Sequence, residues 1–273
     1  MKAFLCLPFA ALLAAGHVYA VVIRADVSDE RYLANEGALP ALVDLPGEGH
    51  GVLIDRKWVV TVAHATQGYT LDHVMIGGRS RTVAELIVHP EFHKPESAMI
   101  GDAAPLMTAF GAMKDIALIR LSEPVDDVTP IALYRQSDEA GQVVTIYGKG
   151  ATGNGVTGQV RGSPHRGALR RAENRITSAH DQWIDYRLDC DASALPLEGS
   201  IGDGDSGGPV LIRKGDRWVL AGLGDWKHWR GDLSAFHAGV CGQDFSNTRI
   251  SWYANWIDRV MAEHSGKKGD DAN

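Results

Sequence analysis

Short apolar runs cut by Gly, Pro, Asp or Asn repeat along most of the chain, and their brevity and β-branched content predict strands. Gly51-Val52-Leu53-Ile54 leads through Asp55-Arg56-Lys57 into Trp58-Val59-Val60-Thr61-Val62, two strands joined by a tight turn. Thr82 to Val88 is strand-like and stops at His89-Pro90, and Ile116 to Leu121 reads as a short buried strand. Val143 to Gly148 alternates and ends in a glycine-rich turn. Val210-Leu211-Ile212 and Trp218 to Leu223 flank Arg213-Lys214-Gly215-Asp216, as a hairpin requires. Only the C-terminal end carries a helical period, in Trp252, Trp256, Ile257, Val260 and Met261, with Ser251 at the N-cap position. Many short strands and one terminal helix predict an all-β barrel or sandwich.

The ends add a compartment. Lys2, the apolar run Phe4 to Ala15 and the small residues of Val18-Tyr19-Ala20 read as a signal peptide over 1–20, cleaved after Ala20. That predicts a secreted or periplasmic protein, and the run is too short to span a bilayer. About 250 residues would remain, enough for one large all-β domain or two small ones. The 31 glycines fit a turn-rich fold. Of the 3 cysteines, Cys6 leaves with the signal peptide, so Cys190 and Cys241 are expected to pair in an oxidising compartment. The competing reading is two unrelated buried thiols. A formal charge of -7 argues against a nucleic-acid partner. Arg161, Arg166, Arg170 and Arg171 form a local basic stretch, read as a solvated loop or strand face. Residues 265–273 read as a polar, disordered tail.

Three segments carry chemistry. Hydrolysis by serine needs a nucleophile, a base, a group that orients the base, and N–H donors aimed at the developing oxyanion. Ser206 lies in Gly202-Asp203-Gly204-Asp205-Ser206-Gly207-Gly208-Pro209. The glycines permit a sharp turn that exposes the hydroxyl and aims the N–H groups of Gly204 and Ser206 at one point. His64 follows the apolar Trp58-Val59-Val60, and Asp115 opens the run Ile116-Ala117-Leu118-Ile119, where it can hold one nitrogen of His64. Scattered histidines without ligand spacing predict no metal, and no organic cofactor is expected.

Thr61-Val62-Ala63-His64, Asp115 to Ile119 and Gly204-Asp205-Ser206-Gly207-Gly208-Pro209, in that order, resemble the chymotrypsin/trypsin family of serine proteases. The likeness covers nearly the whole chain after residue 20, including Val88-His89-Pro90, Gly148 to Thr152 and Thr248-Arg249-Ile250, and suggests a secreted member of bacterial type. It implies two six-stranded antiparallel β-barrels, about 21–135 and 136–250, followed by a helix over 251–264, with the active site between the barrels. It implies a catalytic set of His64, Asp115 and Ser206, and an oxyanion hole from Gly204 and Ser206. Asp205 would receive the new α-amino group, and removal of the signal peptide would itself create that terminus. Cys190 and Cys241 would flank the specificity pocket.

The likeness has departures. Ala65 follows His64 where the family usually has a bridged Cys, so that loop is unbridged. Ser200 falls where trypsin-like members place an Asp, which points to an apolar or uncharged side chain in the pocket. Asp225-Trp226-Lys227 stands for the family's Ser-Trp-Gly substrate-binding strand, with Asp225 close to the Asp115–His64 pair and Lys227 crowding the pocket entrance. The implied function is a monomeric endopeptidase acting on protein or peptide substrates, without stable membrane insertion. The alternative is a non-catalytic relative that uses the same barrels for binding. An esterase of α/β-hydrolase type needs the order Ser, Asp, His and alternating helices, and the sequence has neither.

Overall fold

The computed structural model describes residues 21–95, 100–163 and 167–265. The expected signal peptide and residues 266–273 of the expected tail lie outside the described residues, as does Arg166.

The all-β double barrel is the architecture observed. The first barrel runs in the order Leu42–Asp44, His50–Asp55, Trp58–Thr61, Ala117–Leu121, Arg79–Val88, His73–Ile76, and closes through Val43 opposite Ile76. The second runs Pro209–Lys214, Val143–Gly148, Arg170–His180, Trp183–Arg187, Asp244–Arg249, Arg217–Lys227. It closes where Val210 pairs with Gly222, and the short strand Ala132–Leu133 joins it in parallel outside the closure. A small sheet in the order Gly158–Gln159, Thr152–Asn154, Val21–Ile23, Gly199–Ser200 holds the first described residues, with Val21 and Val22 wholly buried.

Alternation builds the barrels. In Trp58–Thr61 and Ala117–Leu121 nearly every side chain is covered, because barrel interior, neighbouring barrel and C-terminal helix lie on opposite faces. The hairpin strands extend further than the apolar runs alone predict, to Pro209–Lys214 and Arg217–Lys227. The C-terminal helix spans Ile250–Ser265, and Ile250, Tyr253, Trp256, Ile257 and Val260 pack into the core. Fully burying one such side chain contributes about 2 kcal/mol.

Four expectations need correction. A second helix, Ala104–Ala112, stands where no helix is predicted. Its weak apolar periodicity hides it, although Asp102, which accepts from the Ala104 N–H, and Pro105 in the first turn are start signals. Ser251 is not an N-cap: it lies inside the helix and its hydroxyl donates to buried Glu139. Trp252, counted in the core stripe, is 50% exposed. Arg170 is not solvated but 1% exposed, and its guanidinium makes two bonds to Asp29, Nε–Oδ1 at 3.0 Å and Nη2–Oδ2 at 2.7 Å. No helix among the described residues is long and apolar enough to cross a membrane.

Candidate active site

Strand register brings His64 and Asp115 together. Thr61 pairs with Ala117, so the chain leaving one strand and the chain entering the other meet at the same end of the first barrel. His64 sits in the short 3-10 turn Ala63–Thr66 that follows. Asp115, wholly buried, accepts from the His64 backbone N–H at Oδ1 (2.9 Å) and lies 2.7 Å from Nδ1 through Oδ2. Two bonds to one carboxylate fix both the backbone and the ring, and leave Nε2 as the outward nitrogen. Burial disfavours the imidazolium, but Asp115 and then Asp225 more than offset this and push the His64 pKa up to about 9.

Ser206 comes from the second barrel, in the turn before Pro209–Lys214. Two glycines make the approach possible. Gly207 has φ +75, and a Cβ there would lie 2.2 Å from the His50 carbonyl oxygen and 2.4 Å from Thr61 Oγ1. A Cβ on Gly49, also at positive φ, would meet the Ser206 carbonyl oxygen at 2.7 Å. The His50 N–H donates to that same carbonyl (2.7 Å), which ties the serine turn to the first barrel. Among the described residues the N–H groups of Gly204 and Ser206 have no acceptor, so both are open to an oxyanion. No hydrogen bond joins the Ser206 hydroxyl to His64 among the described contacts, and such bonds commonly tighten once substrate is bound.

Asp205 points inward, away from Ser206's side. Its oxygens accept from the N–H groups of Gly150 (2.7 Å) and Gly202 (2.9 Å), and burial pushes its pKa up. A Cβ on Gly148 would fall 2.1 Å from Asp205 Oδ1, so glycine is required there. Sequence reasoning did not single out His50, which is wholly buried 3.8 Å from Asp205. Its Nδ1 faces Asp44 at 3.1 Å and its Nε2 accepts from the Lys149 N–H at 3.3 Å.

His64 and Ser206 share the wall of a cavity of about 270 Å³. Its remaining lining is mainly apolar: Leu106, Met107 and Phe110 from the unforeseen helix, with Met113, Trp226 and Phe236. Trp226 is braced by Phe110 and Trp183 and stacks on His228. Asp225, Trp226 and Lys227 all reach the cavity, and Lys227 Nζ lies 2.6 Å from Asp203 Oδ1 at its edge. Ser200 does not line it. That residue is wholly buried in the strand paired with Val22, and its Oγ has no hydrogen-bond partner. Neighbouring Ile201 belongs to a closed apolar cluster with Tyr186 and Phe245.

Asp225 also faces the His64–Asp115 pair, its Oδ1 3.6 Å from His64 Nδ1. These three residues each offer a ligand atom within 4.8 Å of the others, a set that could hold a cation. Cys190 and Cys241 are disulfide-bonded, which resolves the pairing in favour of the bridge. Gly155 backs it, leaving no room for a Cβ against either sulfur.

The sequence is similar to those of several curated proteins. It is 29% identical over 252 residues to complement C1s subcomponent of Rattus norvegicus, covering 81% of this chain and 33% of that protein. With snake venom serine proteinase 14 of Crotalus adamanteus it shares 28% over 219 residues, covering 78% and 77%. With atrial natriuretic peptide-converting enzyme of Homo sapiens it shares 29% over 239 residues, covering 77% and 20%. The chain spans 33% and 46% of the lengths of complement C1s and of the vitamin K-dependent protein C of Mus musculus. The Trypsin family model matches residues 30–257, a span that contains His64, Asp115 and Ser206, and the chain therefore belongs to the trypsin family of serine proteases.

Proposed function

We propose that this chain is a secreted serine endopeptidase that cleaves peptide bonds through an acyl-enzyme on Ser206. The observation that carries the reading is the 2.7 Å His64–Asp115 contact opening on the same cavity as Ser206. His64 takes the Ser206 proton as the hydroxyl attacks the scissile carbonyl, then delivers it to the leaving amine. Asp115 holds the ring with Nδ1 protonated and stabilises the imidazolium. The N–H groups of Gly204 and Ser206 receive the oxyanion, and water repeats the sequence to release the acyl group. The apolar cavity suits a peptide that lays an apolar side chain against Phe110 and Trp226.

Activation would follow removal of residues 1–20, with the new amino group of Val21 pairing with Asp205. Supporting this, Val21 pairs with Thr152 and Val22 with Ser200, two residues from the glycines whose N–H groups hold Asp205. A start of the secreted protein well beyond Val22 on N-terminal sequencing would sink that step.

A second reading, a non-catalytic binding module, draws on the Lys227–Asp203 bridge at the edge of the cavity. A fluorophosphonate probe separates the two. Labelling of the wild type that disappears in Ser206→Ala supports the peptidase, and equal or absent labelling of both supports the binding module.

A further inference from the structure

Asp225 sits at a break in the barrel. The pairing of Arg217–Lys227 with Asp244–Arg249 shifts register between Gly224 and Trp226, so Asp225 is the extra residue of a bulge. A bulge turns its extra side chain out of the ladder, and here it turns a carboxyl towards His64 and Asp115. The side chain is wholly shielded from solvent. One oxygen, Oδ2, lies 2.7 Å from the Thr248 hydroxyl. The other, Oδ1, is buried without a hydrogen-bond partner. His64 Nδ1 is 3.6 Å away and lies closer to Asp115, at 2.7 Å.

We propose that the Asp225 carboxyl is held in its protonated form and acts as a positioning residue, its acid O–H donating to the Asp115 carboxylate that orients His64. The proposal rests on the reading of His64 as general base. Two buried carboxyls with oxygens within 4.8 Å of each other do not both stay ionised beside a single imidazole, and one proton held between them removes the conflict. Lys94 lines the same cavity and lowers the His64 pKa, but among the described residues no ion pair joins it to Asp225. Facing Asp225 are His64 and Asp115 from the first barrel, Thr248 from its own barrel and Tyr253 from the C-terminal helix. Tyr253 brings a buried phenol with no hydrogen-bond partner, kept neutral chiefly by burial. Among the described residues the one ion-pair contact of Asp225 is His64. Burial, and after it the charge of Asp115, holds the Asp225 carboxyl well above the usual carboxylate range.

Two proton placements with the same total charge compete. A proton on Asp225 leaves His64 neutral and able to act as a base. A proton on His64 leaves two carboxylates and blocks Nε2. Asp225 thereby sets whether the catalytic imidazole is free.

The test follows the His64 ring by NMR titration in wild type, Asp225→Asn, Asp225→Ser and Asp225→Ala, alongside kcat and KM. The wild-type midpoint is expected between 6.5 and about 9, because Asp115 alone is charged. Asp225→Asn should move it by less than about half a unit and remove the carboxylic-acid stretch from the infrared difference spectrum. Asp225→Ala, which lacks a donor, should lower kcat at least about tenfold with little change in KM, and Asp225→Ser should recover most of that loss. A fall of more than about one unit in Asp225→Asn would show Asp225 charged in the wild type and overturn the proposal. So would an unchanged kcat in Asp225→Ala. The titration and the infrared band report the proton even in a protein that hydrolyses nothing, so failure of Ser206 labelling is told apart from failure at Asp225.

Discussion

Replacing both Cys190 and Cys241 by Ser tests how the second barrel holds its loops. The bridge closes a loop of 51 residues that contains Ser206. Releasing that constraint gives the denatured chain a gain worth about 4 kcal/mol at 25 °C. The native state has little to add, because Gly155 already presses its backbone against both sulfurs. A loss of that size should lower the thermal midpoint by about 8–16 °C for a chain this long. The assay is equilibrium guanidinium unfolding followed by tryptophan fluorescence, with Ser206→Ala as background in both proteins to prevent self-cleavage. A second readout is local. The Cys241 N–H donates to the Gly155 carbonyl (2.8 Å) and the Gly155 N–H to the Ile23 carbonyl (2.9 Å). Amide exchange at Val21–Ile23 should therefore accelerate more than exchange in the first barrel. A stability loss below about 1 kcal/mol, with exchange unchanged at Val21–Ile23, would refute the reasoning.

Three further outcomes follow from the paired charges. Glu139 is wholly buried and takes two bonds from Arg249, Nε–Oε1 at 2.9 Å and Nη2–Oε2 at 2.8 Å. Glu139→Ala leaves that guanidinium stranded and should cost about 3–5 kcal/mol in urea unfolding, while Glu139→Ala with Arg249→Met should recover part of it. Because Asp115 raises the His64 pKa above 6.5, to at most about 9, the ion pair stabilises fully below about pH 6.5 and its contribution fades as pH rises through the raised pKa. Stability of the Ser206→Ala protein should fall across that window, and His64→Ala should remove the slope. In the same window kcat/KM should rise, since the neutral ring is the base.

What was legible in the chain was local. Gly204-Asp205-Ser206-Gly207-Gly208 carries its own backbone geometry, and the runs before His64 and after Asp115 carry their own strand signals, so these segments could be read where they stand. Residues whose role depends on a distant partner could not. Arg170 reads as a surface cation until Asp29, 141 residues away, is seen against it. Ser251 reads as a cap until Glu139 claims its hydroxyl. The helix Ala104–Ala112 has Gly and small residues in place of a clean stripe, yet it supplies one wall of the cavity. Ser200 reads as a pocket residue by its place in the family pattern, but that place does not say which way a strand residue faces, and the side chain is wholly buried in a strand paired with Val22.

Gly49 lies against Ser206, and Gly207 against His50 and Thr61, so both glycines stand where one barrel touches the other. His64 and Asp115 ride on one barrel and Ser206 on the other, and these side-chain-free contacts are where the two bodies come closest to the chemistry. Hydrolysis is thus a readout of alignment between two halves, each of which can keep its own hydrogen-bonded ladder while the pair slips. Mild denaturant should extinguish turnover while the circular dichroism of the strands still looks native, so activity becomes the most sensitive gauge of how the barrels are docked.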